Sequence, residues 1–436
     1  MTSTSWAQSA HLVRSTGFGG SGALVDVVDK QGAAAWVQQS LHADASHDPT
    51  VTATPAPTFD TLPPLGKGAS REERQKRRQA DREQVNELLA WWIRRMATAA
   101  NPMVEKLTFG WHNHFSTSAS KVRSASMLLG QNETLRALGR GSFLDLAEAM
   151  VKDPAMLVWL DGQKNTATAP NENLAREFME LFTLGHGGGY TETDVKEGAR
   201  ALTGWTVSRL DGTARFMARR HDSQAKTLLG TTADLDATGF VRVVLGHNAS
   251  APFVVGRWWR LLAGPGGPPP DALARIVAAY GPGRDLRAMF GALFTDPALV
   301  SAAGSVVVSP VEWVVGSMRA LSLTADDATV RRAAAMMRSL GQVPLHPPNV
   351  SGWPSGQAWL STAAATTRVR AATTLVRAAD LHAVEDQPAS ARVEAVAHLL
   401  GIPTLSGRTA AELKKHVGLP PRLVATALVC PENLVI

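Results

Sequence analysis

Apolar residues recur along most of this chain with the period of a helix. Between Arg71 and Ala100, the residues Val85, Leu88, Leu89, Trp92, Ile93 and Met96 fall at i, i+3, i+4, i+7, i+8 and i+11. That spacing predicts one long helix with a single buried stripe. Ser142 and Asp145 spell a capping box ahead of Leu146 and Met150, and Pro154 ends the segment. Thr191 and Asp194 repeat the pattern before Val195, Ala199 and Leu202, with Gly204 on the C-terminal side. Further helices are predicted near Asp271–Ala279, Asp285–Phe294, Val311–Leu321 and Thr329–Leu340. Strand-like alternation is scarce, and Phe240 to Leu245 is the main ambiguous stretch. The expected fold is mainly α, a multi-helix globular body with little β structure, built as one continuous body or as two lobes.

Turn-forming residues divide the chain. Residues 1–42 read as an N-terminal helical segment, two short helices around a turn with Gly17, Gly19, Gly20 and Gly22. Residues 43–70, with Pro55, Pro57, Pro63 and Pro64 and no period, read as a Pro/Thr-rich connector over the surface. Residues 71–263 form a helical region holding many of the polar motifs. A Gly/Pro loop at 264–270 leads to a C-terminal helical region, 271–436, with a Trp-rich loop.

Composition narrows the possibilities. With 436 residues, 44% of them hydrophobic, the chain can bury a large core, which excludes a disordered chain. The single cysteine, Cys430, leaves no disulfide framework and no thiolate-rich zinc site, so any metal would need His and carboxylate ligands. The net charge of +6 is modest for this length. The run Arg71 to Glu83 mixes six basic with four acidic side chains, which reads better as a solvated, ion-paired helix face than as a nucleic-acid patch. Nucleic acid is therefore not an expected partner. Met1 to Gln8 lack a basic start followed by an apolar run, and no stretch approaches the length of a membrane span, so neither a secretory signal nor a membrane anchor is expected and the location expected is cytoplasmic.

Several polar clusters could carry chemistry. Trp111, His112, Asn113, His114 and Phe115 set two imidazoles beside large aromatics. On a helix those imidazoles point about 200° apart, so only an extended or terminal backbone would let them converge on a metal or a proton. The other reading is of core-edge histidines satisfied by hydrogen bonds. In Asn171–Phe182, Leu174, Phe178, Leu181 and Phe182 gather on one helical side, and Glu172, Asn173, Arg176, Glu177 and Glu180 on the other. Crowded carboxylates push one another's pKa apart, which would let Glu177 and Glu180 act as acid and base with Arg176 holding one ionised. A solvated face with an i,i+4 Glu172–Arg176 pair accounts for the same letters. A glycine-rich loop, Gly185 to Tyr190, follows; it lacks the Lys-Ser/Thr ending of a phosphate-binding loop. Beyond Trp205, His221 and Asp222 with Lys226 suit either a proton relay or anion site, or a cap on a turn. The Pro- and Gly-rich run Gly341 to Trp359 would hold Trp353 and Trp359 rigidly, as a stacking platform or as core plugs.

Taken together, these segments resemble the bacterial domain of unknown function 1800 family. The resemblance runs from His11, Leu12, Val13, Arg14, Gly17, Phe18 and Gly19 through Trp111–Phe115, Asn171–Gly185, Tyr190–Trp205 and His221–Gly230. It continues through Ser309, Pro310, Glu312, Gly316 and Arg319 to Gly341–Trp359, and so covers most of the chain. Gln224 stands where glycine is usual in the family's His-Asp-x-Gly-x-Lys element. The resemblance names no reaction. It implies a soluble, α-rich bacterial protein, exported in many relatives. Such proteins are often encoded beside a member of the domain of unknown function 1501 family, itself similar to alkaline phosphatases and sulfatases.

Two functions are then expected to compete. The first is a hydrolase that uses acid/base carboxylates or a His/carboxylate metal site on a polar substrate, such as a carbohydrate or a phosphorylated or sulfated compound. Its catalytic residues would be Glu177, Glu180, His112, His114, His221 and Asp222. Asn171, Asn173, Arg176, Trp205, Lys226, Trp353 and Trp359 would bind the substrate. The second is a non-catalytic binding or maturation partner of a phosphatase- or sulfatase-like protein. Convergence of the motifs in one cleft favours the enzyme, and dispersal the partner.

Overall fold

A computed structural model describes residues 4–436 except 45, 46, 63, 67, 209 and 210. Met1, Thr2, Ser3 and Pro63, used in the reading above, lie outside the described residues. The chain is mainly α. Among the described residues the β structure consists of two antiparallel pairs, Trp205–Val207 with Ala214–Phe216 and Lys226–Leu228 with Thr231–Ala233. No helix is long and apolar enough to cross a membrane among those residues.

Local sequence explains where the helices start. The long helix Arg71–Thr98 opens with Ser70, whose side chain accepts from the Glu73 N–H while the Glu73 carboxylate accepts from the Ser70 N–H. Thr191 with Asp194 and Ser309 with Glu312 form the same reciprocal cap. Ser142 accepts from the Asp145 N–H, but no return bond closes that box. The ambiguous stretch Phe240–Leu245 is helical, within Ala237–Gly246. Asp236 caps it, and Phe240, Val241, Val244 and Leu245 are buried at helical spacing.

Two other expectations change in detail. The first 42 residues contain three helices, Thr4–Thr16, Gly22–Gln31 and Ala33–His42, because Gly32, at φ 91°, breaks what the apolar pattern reads as one helix. The connector carries a five-residue helix, Pro49–Ala53, which its Pro/Thr composition does not announce.

Two hydrophobic clusters make up the interior. One centres on Trp111, whose ring meets those of Phe143, Trp258 and Phe290 and whose Nε1–H donates to the Gly139 carbonyl at 2.7 Å. The other gathers Trp92, Phe109, Trp313, Trp353 and Trp359 with the C-terminal helices. The helix Pro102–His114 contributes to both. Buried charges join distant segments. Glu105 accepts from Arg95, Arg136 and Trp92, Lys106 pairs with Glu312, and Arg14 donates to the carbonyls of Glu432, Asn433 and Val435. The turn at Phe18 lies against helix Pro310–Ala320 so closely that a Cβ on Gly316 would sit 1.8 Å from the Phe18 carbonyl oxygen. Only glycine fits there.

Candidate functional site

His112 and His114 both lie on Pro102–His114, so the helical backbone sends their rings in different directions. His112 is buried, and its Nε2 accepts from the Leu345 N–H at 3.1 Å. Its ring stands edge-on to Trp92 and tilts against Trp353. Burial, with a smaller contribution from His346, pushes its pKa down to about 3, so the ring is neutral at ordinary pH. His114 is equally buried and donates from Nε2 to the Phe182 carbonyl at 2.9 Å. Burial first, and the charge of Arg257 second, hold its pKa well below the usual imidazole range. Among the described residues, no three His, Cys, Asp or Glu side chains gather closely enough to hold a metal ion.

The polar run after Asn171 is a short α-helix, Asn173–Glu177, that widens into a π-helical turn, Phe178–Thr183. Asn171 Oδ1 accepts from the Asn173 N–H, and Asn173 Nδ2 donates to the Leu160 carbonyl. Arg176 is engaged on two sides, with both Glu192 oxygens at 2.7 Å and with Glu172 at 2.9 Å, which raises its pKa. Glu177 is half-buried, and its pKa is raised by burial and then by Glu180, against the pull of Arg176. Glu180 lies 3.3 Å from His186 Nδ1 and close to Tyr190. Glu177, Glu180, His186 and Tyr190 thus form a carboxylate-rich group beside the glycine loop.

A separate group stands at the far end of Glu192–Ala201. Arg200 donates to Asp222 at 2.7 Å and to Glu197 at 2.8 Å, and the bond to Arg200 is the largest influence holding Asp222 below the usual carboxylate range. His221 Nδ1 donates to the Thr203 carbonyl at 2.9 Å, and buried Lys226 donates to Asp234 at 2.7 Å. Trp205 is half-buried against Phe216. With a rise of 1.5 Å per residue, Glu192 and Arg200 are separated by about 12 Å along the helix axis.

The tryptophans of the late loop point inward. Trp353 stacks on Phe109, with ring centroids 5.6 Å apart, and Trp359 is buried beside Arg368, which donates to its carbonyl. Gly352, at φ 90°, lets the loop approach Asn113, whose Oδ1 accepts from the Trp353 N–H at 2.9 Å. Between these two motifs lies a cavity of about 130 Å³, lined in part by Asn113, His114, Trp353, Ser355, Arg257 and Arg260. No carboxylate lines it among the described residues. Arg257 donates to the Ser351 carbonyl at 3.1 Å and has no acidic partner among the described residues; burial and then Arg260 lower its pKa to about 10. The periodic reading missed Arg257 and Arg260. The available signal was a pair of cations flanking Trp258 and Trp259 in an otherwise apolar helix.

No curated protein and no solved structure matches this chain. Residues 11–435 match the family described as "Protein of unknown function (DUF1800)". That match spans nearly the whole length and includes every motif described above, so the chain belongs to this family.

Proposed function

We propose that this chain is a non-catalytic partner of a phosphatase- or sulfatase-like protein and that it holds a phosphate or sulfate group for it. The observation that carries this reading is the cavity of about 130 Å³, where two family motifs meet around Arg257 and Arg260 with no lining carboxylate among the described residues. A half-buried guanidinium without an acidic partner is costly, and an oxyanion would supply the missing charge through a two-pronged contact. The dispersal of the remaining polar residues adds support. His112, His114, Arg176 and Asp222 are each bonded to a different neighbour, and the Glu192 and Arg200 groups stand at opposite ends of one helix.

Titration of the full chain with inorganic phosphate and sulfate tests the reading, with saturable binding expected and a loss of at least tenfold in Arg257→Gln. Co-purification with a co-expressed member of the domain of unknown function 1501 family is the second expected result. Absence of both outcomes would overturn the proposal.

One observation favours the second reading, a hydrolase. Glu177, with its raised pKa, sits beside Glu180 on a π-helical turn, and such turns recur at functional sites. In that reading Glu177 is the acid and Glu180 the base. Release of phosphate or sulfate from model esters by the purified chain, abolished in Glu177→Gln, would establish it over the partner role.

A further inference from the structure

The largest cavity described in the molecule, about 610 Å³, is lined by none of the residues of the Glu177, Asp222 or Arg257 groups, but draws on the charged run Arg71–Glu83 and on the start of the late loop. Its walls come from four parts of the sequence. Arg78 and Arg82 stand one turn apart on helix Arg71–Thr98, on the side that continues into buried Val85. Arg123 follows the short helix Ala119–Val122, Arg338 lies in the last turn of Asp327–Leu340, and His346 belongs to the late loop. Among the described residues, Arg78, Arg82 and Arg338 make no ion pair and no side-chain hydrogen bond, and Arg123 reaches only the Ser120 carbonyl, at 3.4 Å. The one acidic lining residue among the described residues, Asp81, is occupied by Arg77 at 2.9 Å.

The walls are held in place. Arg94 bonds both Asp327 and the Ala325 carbonyl, which fixes the two long helices to each other. The late loop is pinned at Leu345, whose carbonyl accepts from the Ala119 N–H at 2.8 Å and whose N–H donates to His112. Arg123 and Leu345 both adopt left-handed backbone, at φ 59° and 68°, a conformation that costs a non-glycine residue free energy and that the surrounding structure must impose. All four arginines are exposed, so solvent screens much of their mutual repulsion, but together they give the cavity a positive field that an anion would meet.

We infer that this cavity is a binding site for a small ligand carrying two or more phosphate or sulfate groups, each gripped by a pair of the four arginines. The volume falls within the range of about 300–1,000 Å³ typical of small-ligand sites, whereas a nucleic-acid strand needs an extended basic groove. Each guanidinium presents a planar fork of donors that matches such oxyanions, and two can share one group. The inference rests on the binding reading above in treating the cavity as a place of recognition, but it concerns a different site from the one at Arg257.

Calorimetric titration of the full chain with sodium tripolyphosphate tests it. We expect saturable one-to-one binding that weakens with added salt, falls at least tenfold in Arg82→Gln/Arg338→Gln, and is unchanged in Arg71→Gln, an exposed position on the same helix outside the cavity. The imidazole of His346, whose pKa is lowered by burial and by Arg338, should titrate at higher pH once the anion is bound, a readout that needs no substitution. Absence of saturable binding, an equal loss in Arg71→Gln, or tighter binding of a thymidine oligonucleotide than of tripolyphosphate would each overturn the inference. Loss of tripolyphosphate binding in Arg257→Gln would place the ligand in the smaller cavity, overturning this inference while leaving the proposed function intact. Release of orthophosphate from the probe would instead overturn the non-catalytic role.

Discussion

Replacing Glu105 by glutamine removes the charge at the centre of a buried network while leaving its shape almost unchanged. The carboxylate accepts from Arg95 at 2.7 Å, from Arg136 at 2.7 and 2.9 Å, and from Trp92 at 3.0 Å. The Arg95 and Arg136 side chains are only 6% and 3% exposed. Arg136 would keep Glu133 at 3.0 Å, whereas Arg95 would keep no acidic partner among the described residues. Breaking a buried pair in this way costs about 3–5 kcal/mol, because the remaining charge stays desolvated. An unfolding entropy of roughly 2.1 cal/mol/K per residue scales to about 0.9 kcal/mol/K for a chain of this length, so Tm should fall by about 4 °C if the chain unfolds as a unit.

The pH dependence of that difference is a stricter check. Burial alone would raise the Glu105 pKa, but Arg136 and then Arg95 outweigh it and hold it below the usual carboxylate range. Its contribution to stability is therefore fully present above the unfolded-state pKa of about 4.3 and is lost as pH falls through the folded-state value. Calorimetric melting of wild type and Glu105→Gln should show a gap near neutrality that closes in acid. A Tm at pH 7 within about 1 °C of wild type would refute the claim that Arg95 is stranded.

Three further outcomes are expected. The His112 imidazole, neutral down to about pH 3, should show no NMR titration between pH 5 and 8; a midpoint in that range would mean that the ring is not buried as described. Asp153, whose pKa burial raises to about 7 against its bonds from Met156 and Gln131, retains a proton on folding between about pH 4 and 7. Stability should therefore fall as pH rises through that window, and Asp153→Asn should remove the fall, a gain of up to ~4 kcal/mol at pH 8 in urea denaturation. Gly316→Ala would drive a methyl group into the Phe18 carbonyl and should destabilise the chain by at least ~1–3 kcal/mol; unchanged melting would show that the turn can move aside.

Which features were legible in the sequence follows from the range of the interactions that make them. Helices were legible because their determinants lie within a turn or two. The cap of Thr191 with Asp194 pairs residues three apart and was read from the sequence, as was the stripe from Val85 to Met96, which needs no knowledge of its partner; the caps at Ser70 and Ser309 follow the same local rule. Failures occurred where one residue changes the backbone, as at Gly32, or where a helix widens, as at Phe178–Thr183. The candidate sites were less legible because a polar side chain is defined by what it meets. Glu105 is one acid in an unremarked stretch until Arg136 folds against it, and His112 is a candidate ligand until the Leu345 N–H arrives from 233 residues away.

The run Arg71 to Glu83 shows the limit most clearly. Counting its charges gives a near-balanced helix face, and part of it is one, since Lys76 pairs with Glu72 and Arg77 with Asp81. The count cannot tell that Arg78 and Arg82 face the other way, toward Arg123 and Arg338 from distant parts of the chain. The balance within the run is therefore no guide to the field in the cavity, because Glu72 and Asp81 are bonded to other cations, Glu73 caps the start of the helix and Glu83 accepts from Gln79. The same reasoning explains why a net charge of only +6 is compatible with a concentrated cationic site. What an anion meets is set by the partners of each arginine, and three of these four have none among the described residues.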